Sequence, residues 1–154
     1  MNRTNCHLDR YIGADIVGEI VTRNASLFAT LDGRIGFRKL DLLSDTLPAA
    51  DAILCRDCFV HFSYANIGKA LANLRASNLH WLIATTFTDL HENHDAIDGD
   101  WRPLNMEAPR FGLPPAFAIL NEGCKEADGA YADKSLGVWQ VGDLPSFLSG
   151  IHAN

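Results

Sequence analysis

Residues Asp51 to Ser63 read DAILCRDCFVHFS. The short apolar run Ala52 to Leu54 ends in Cys55, Arg56, Asp57 and Cys58, and a helical pattern follows from Ala65 to Leu74. In that pattern Ile67, Ala70, Leu71 and Leu74 recur at spacings of three and four. A buried strand, a polar turn and a helix are the repeating unit of open α/β sheets, in which ligands sit just outside the strand carboxyl ends. A working pocket is therefore expected along Cys55 to His61.

Before this stretch, Tyr11 to Ile16 reads as a strand closed by Asp15. Gly18 to Ala29 then reads as a helix, with Ile20, Val21, Asn24, Leu27 and Phe28 on one face. Ile35 to Leu43 alternates as a second strand with Asp41 near its end, and Pro48 stops continuation through the turn Ser44 to Ala50. After the central stretch, Leu79 to Phe87 is the most apolar strand and is expected in the middle of the sheet. Residues 88–115 are polar and proline-containing, and a loop of that length in a compact domain is more often functional than idle. Ala116 to Leu120 and Leu136 to Val141 are expected to form an antiparallel hairpin, since no helical pattern separates them. The reading is a single α/β domain over residues 11–142, with an N-terminal extension 1–10 and a tail 143–154.

The chain of 154 residues carries a formal net charge of −6. Neutralising nucleic-acid phosphates needs a clustered basic face, which is lacking, so a small molecule or a protein is the expected partner. No apolar stretch approaches the roughly 20 residues of a membrane span, and Met1 to Arg10 has no secretory h-region. Four cysteines are too sparse for a disulfide scaffold, so reduced thiols and a cytoplasmic location are expected.

Several residues carry chemistry on their own terms. His61 has the unperturbed pKa of a general base at neutral pH, although a histidine at such a turn also serves structurally. Asp57 is either a catalytic carboxylate or a turn residue, and the forked donors of Arg56 suit a carboxylate. Cys55-x-x-Cys58 admits thiol redox chemistry. With His61, His91 and His94 the same cysteines admit a metal site, but the second ligand pair at standard spacing is missing.

The strings CRDCFVHFS, TTFTD, WRPLNME and LPPAFAILNEG, with the element order above, resemble the later part of a class I S-adenosylmethionine-dependent methyltransferase of a bacterial subgroup. The resemblance spans roughly residues 11–141. It implies a Rossmann-like sheet with a terminal antiparallel hairpin. It also implies that Asp15 meets the ribose of S-adenosylmethionine, that Asp41 and Leu42 flank the adenine, and that Cys55 and Arg56 lie beside the methionine part. Trp101, Arg102, Asn105 and Glu107 are implied to shape the pocket of a small-molecule methyl acceptor, with His61 or Asp57 acting on it.

The sequence departs from the resemblance at its front. The first strand and its glycine-rich turn have no counterpart in Met1 to Arg10. Two or three hydrogen bonds to the charged end of the cofactor, each about 1.5–3 kcal/mol, are then expected to be lost, so cofactor binding is expected to be impaired. The strands at Tyr11 and Ala52, which such a first strand would separate, are expected to pair directly or to recruit a second copy of the chain, with a homodimer favoured. Two functions follow: a methyltransferase-like domain with weakened cofactor binding, or a non-catalytic binding and assembly module.

Overall fold

A computed structural model of the chain describes residues 8–146. The expected extension 1–10 and tail 143–154 lie partly outside the described residues. The chain divides into two compact units, one ending at Asp45 and one beginning at Thr46.

The first unit is a strand–helix–strand: β1 (Tyr11–Asp15), α1 (Gly18–Phe28) and β2 (Ile35–Lys39). The strands run parallel, from Tyr11 opposite Ile35 to Asp15 opposite Lys39, and α1 supplies the crossover that parallel pairing requires. Gly13 faces Phe37, and a Cβ there would come within 2.5 Å of the Phe37 ring. Glycine thus lets that ring lie over the strand and meet Tyr11 edge-on at 6.4 Å.

The second strand ends at Lys39 rather than running to Leu43. Asp41 stops it: its Oδ1 accepts from the Leu43 amide at 2.9 Å and its Oδ2 from the Ser44 hydroxyl at 3.0 Å. The Asp41 amide in turn donates to Asp45 Oδ2 at 2.8 Å. Such local side-chain bonds compete with the strand ladder and win here.

The second unit contains β3 (Ala52–Cys55), a 3₁₀ turn (Phe59–His61), α2 (Tyr64–Ala76), β4 (Trp81–Phe87), β5 (Ala118–Asn121) and β6 (Lys134–Gln140). The sheet order is β3-β4-β6-β5. Strands β3 and β4 are parallel, whereas β6 runs antiparallel to both β4 and β5. The expected interior position of the Leu79 to Phe87 run and the expected terminal hairpin are both observed. Strand β6 starts at Lys134, before the expected Leu136, because Lys134 and Ser135 pair with Phe87 and Thr86.

The expected direct pairing of the strands at Tyr11 and Ala52 is absent among the described residues: β1 pairs with β2, and β3 with β4. Each is taken up by the next strand of its own strand–helix–strand unit.

Helix α2 fills the core with Ile67, Ala70, Leu71 and Leu74, all fully buried as their spacing predicts. Each such large aliphatic side chain contributes about 1.5–3 kcal/mol on burial. The long segment 88–115 is packed rather than loose. Leu104 and Met106 are fully buried, the Phe87 amide donates to Leu104 O at 3.0 Å, and the Met106 amide donates to Thr86 Oγ1 at 3.2 Å.

That segment also caps α2, whose first turn has no acidic residue of its own. Asp95 Oδ1 accepts from the Tyr64 amide at 2.7 Å, Asp98 Oδ1 from the Ser63 amide at 2.6 Å, and Asp98 Oδ2 from Asn66 Nδ2 at 2.7 Å. The Ser63 amide, followed by the Ser63 and Asn66 side chains, holds the Asp98 carboxyl below its ordinary value. A carboxyl whose folded pKa is depressed stabilises the fold above its unfolded pKa, about 3.9, and loses that contribution as pH falls through the folded value. Asp98→Asn should therefore flatten the acid limb of the stability–pH curve below about pH 4. It should also cost about 0.5–1 kcal/mol at neutral pH, the size of a helix cap. Urea unfolding across pH checks both, and parallel curves for the two proteins would exclude the cap.

Strand β6 carries a second glycine that packing requires. Gly137 and Trp139 share a face, and a Cβ at Gly137 would overlap the Trp139 ring. The indole is buried and donates from Nε1 to Pro114 O at 2.9 Å. Gly137→Ala should displace the indole and lower stability by about 1–3 kcal/mol. Near-ultraviolet circular dichroism would register the displacement, and an unchanged tryptophan signal would refute it.

Candidate functional site

The carboxyl ends of the parallel strands β3 and β4, the end of β5 and the start of β6 meet on one edge of the second unit's sheet. Asp57 is its hub. It has φ 50, in the left-handed region that costs a non-glycine residue roughly 1–2 kcal/mol. Three contacts hold it there: its amide donates to Thr85 Oγ1 at 2.7 Å, Lys134 Nζ lies 2.7 Å from Oδ1, and Arg56 Nη1 lies 3.4 Å from Oδ2. Arg56 also donates from Nε to Glu122 Oε1 at 2.7 Å, and the Glu122 amide donates to Lys134 O at 3.0 Å.

Two cations and two carboxylates thus form a charge-balanced chain, Glu122–Arg56–Asp57–Lys134, which the Glu122–Lys134 backbone bond closes into a ring across the sheet edge. The Glu122 bond, ahead of the charges of Glu122 and Asp57, raises the pKa of Arg56. Glu122 Oε2 is buried and has no hydrogen-bond partner among the described residues.

Beside this ring, Phe87, Trp101 and Tyr131 pack edge-on, with centroids 5.0–6.1 Å apart. Phe87 is buried, while Trp101 is 43% exposed and presents apolar surface to solvent. Tyr131 is tied to the ring through its carbonyl, which accepts from the Lys134 amide at 3.0 Å.

The other residues singled out in the sequence are placed as follows. Cys55 is buried at the end of β3, its thiol hydrogen-bonded to Cys58 and thereby, together with burial, raised well above the ordinary value. His61 is half-buried in the 3₁₀ turn, and its carbonyl accepts from the Gly99 amide at 2.8 Å. Arg102 is buried and donates to three carbonyls, His94 O at 3.0 Å, Phe59 O at 3.0 Å and Phe62 O at 2.6 Å. Asn105 donates from Nδ2 to Leu90 O at 2.8 Å and accepts from the Glu107 amide at 2.9 Å. Glu107 Oε1 accepts from the Ala116 amide at 2.8 Å. The polar groups of Arg102, Asn105 and Glu107 thus bind backbone, much of it the segment's own, while Trp101 remains presented.

In the first unit, Asp15 ends β1 and its Oδ1 accepts from the Val17 amide at 2.8 Å. Asp41 and the half-buried Leu42 lie in the turn after β2. Among the described residues no three His, Cys, Asp or Glu side chains form a metal-holding group, and no helix is long and apolar enough to cross a membrane. Nothing local in the sequence singles out Thr85, Lys134 or Tyr131, and Glu122, after a strand, fits either a solvated turn or the cleft. The register of β6 against β4, which sets Lys134 opposite Phe87, is the signal that finds them.

No protein-family profile and no curated protein matches the sequence. Solved structures do match the fold. An O-methyltransferase family 2 protein from Planctomyces limnophilus, in complex with apigenin, superposes with a TM-score of 0.58 at 16% identity, over 85% of this chain and 43% of its own. Human N-acetylserotonin methyltransferase, in complex with S-adenosylmethionine, gives 0.56 at 12% identity, over 85% of this chain and 40% of its own. A SAM-dependent methyltransferase from Methanosarcina mazei gives 0.52 at 13% identity, over 84% and 79%.

The fold is that of the class I S-adenosylmethionine-dependent methyltransferases. The chain spans about two fifths of the length of the first two of these neighbours. Within the methyltransferase fold the charged ring occupies the carboxyl edge of the sheet, where α/β sheets place their ligands.

Proposed function

We propose that the chain is an S-adenosylmethionine-dependent methyltransferase-like domain with a weakened hold on that cofactor. Its acceptor side is the carboxyl edge of the β3-β4-β6-β5 sheet. The observation that carries the weakened hold is the state of Arg56, whose guanidinium is already matched by Glu122 and Asp57. A carboxylate from the methionine part of the cofactor would have to displace one of them. Asp15 is better suited to its proposed role: one oxygen serves Val17, and a carboxylate has further acceptor sites for ribose hydroxyls. Asp41 and Leu42 would flank the adenine.

Methyl transfer to a good nucleophile needs mainly alignment, so the acceptor side requires shape more than a catalytic triad. Asp57 and His61 would orient a small-molecule acceptor or take its proton. Trp101 would line its pocket, and Arg102, Asn105 and Glu107 would hold the segment that presents Trp101. Four cysteines, too few for a disulfide scaffold, fit a cytoplasmic location.

A second reading, a homodimeric assembly module, is favoured by the apolar surface of the first unit. Ile16, Val17, Leu27, Phe28 and Leu31 are each more than 40% exposed, a concentration typical of interaction surfaces. Calorimetric titration with S-adenosylmethionine and S-adenosylhomocysteine, on a sample whose mass in solution is measured, tests both readings. Competition from Glu122 and Asp57 for the Arg56 guanidinium, at about 1.5–3 kcal/mol for a hydrogen bond to a charged group, predicts a Kd weaker than micromolar by roughly tenfold to a hundredfold. Micromolar binding would overturn the weakened hold. A dimer with no binding at millimolar cofactor would favour the assembly module.

A further inference from the structure

We propose that Cys55 and Cys58 form a reversible intramolecular disulfide, a modification site at the hub of the charged ring. Cys55 is the last residue of β3, and Cys58 is the residue that leads into the 3₁₀ turn. Between them, Asp57 takes φ 50, in the left-handed region. The two thiols are in hydrogen-bond contact, so the sulfurs lie within reach of one another.

The two thiols differ in a way that orders the reaction. Cys55 is 4% exposed and holds its proton, whereas Cys58 is half-buried and reachable. The oxidant is a low-molecular-weight disulfide, RS–SR. The Cys58 thiolate attacks one of its sulfurs, forming a Cys58–SR mixed disulfide and releasing RS⁻, which takes up the Cys58 proton. The Cys55 sulfur, as its proton leaves, then attacks the Cys58 sulfur, forming the Cys55–Cys58 bond and releasing the second RSH. In sum, one protein dithiol and RS–SR give one protein disulfide and two RSH. The second step is intramolecular, so burial of Cys55 does not prevent it.

The modification reaches the functional edge because the bridged segment carries both Arg56 and Asp57. A bond between its ends constrains the residues that meet Glu122, Lys134 and Thr85. The inference is independent of cofactor binding.

The test exposes the folded full chain to mixtures of reduced and oxidised glutathione, quenches with acid, alkylates free thiols and weighs the peptide that holds both cysteines. In the wild type that peptide should lose two hydrogen atoms and retain no glutathione. Cys55→Ser should stop at a stable Cys58–glutathione adduct, and in Cys58→Ser the Cys55 thiol should react only after unfolding. A wild type that retains glutathione at Cys58, or whose peptide stays fully reduced in oxidised glutathione alone, would overturn the proposal. If Cys55→Ser does not fold, the wild-type masses still decide, since adduct, internal disulfide and dithiol differ in mass.

Discussion

Arg102→Met should lower the stability of the second unit by about 2–4 kcal/mol, through the carbonyls that lose their donor. The guanidinium is buried, and burial pushes its pKa down, which marks the cost of holding a cation there. That cost is offset by three carbonyl acceptors and by the Tyr64 ring, whose centroid lies 5.8 Å from the guanidinium carbon. Methionine fills similar volume but leaves the carbonyls of Phe62 and His94 without this donor, and Phe59 O with the Phe62 amide alone. Each orphaned buried acceptor costs about 1–3 kcal/mol, partly repaid by no longer burying a charge. Arg102→Lys should recover only part of the loss, because one ammonium cannot reach three diverging carbonyls. Urea midpoints of the three proteins provide the check, and a loss under about 1 kcal/mol for Arg102→Met would mean that solvent already satisfies those carbonyls.

Asp57→Ala should cost about 3 kcal/mol through two separable causes. The backbone cause is that alanine enters φ 50 less readily than aspartate, a difference of up to about 1 kcal/mol. The electrostatic cause is Lys134, whose side chain is only 12% exposed and would lose its carboxylate partner. Asp57→Gly removes the first cause and keeps the second. Adding Lys134→Met to Asp57→Gly should restore part of the stability, because a missing ion pair is less harmful than half of one. Additive losses in that cycle would show that the pair is not coupled, and the charged ring would lose its structural basis.

Most of the fold was legible because its signals are local. The spacing of Ile67, Ala70, Leu71 and Leu74 announces α2, and Leu79 to Phe87 announces an interior strand. The early end of β2 was not legible, since it depends on Asp41 and Asp45 bonding to nearby amides rather than on hydrophobic pattern. The candidate site was legible on one side only. Cys55, Arg56 and Asp57 stand next to one another in the chain, but the partners that organise them lie 28 residues away or more, as with Thr85, and 66 residues away in the case of Glu122. Only the register of β6 brings Lys134 and Glu122 to that edge. Arg102 shows the converse difficulty: a cation in a polar loop suggests a substrate, and nothing local reveals that three backbone carbonyls surround it.

The strand order β4-β6-β5 imposes a sequence of events on assembly. β5 is made before β6 yet joins the sheet through it, so among the described strands β5 has no neighbour to hold it until β6 has been synthesised and inserted. Glu122 follows β5 and Lys134 opens β6, so the charged ring closes at that same late step. Non-local contacts of this kind carry the loop-closure cost that slows folding. Completion of the ring is therefore a marker that this sheet has assembled, and a nascent chain that has reached Tyr131 holds Arg56 and Asp57 with neither Lys134 nor the strand that positions Glu122.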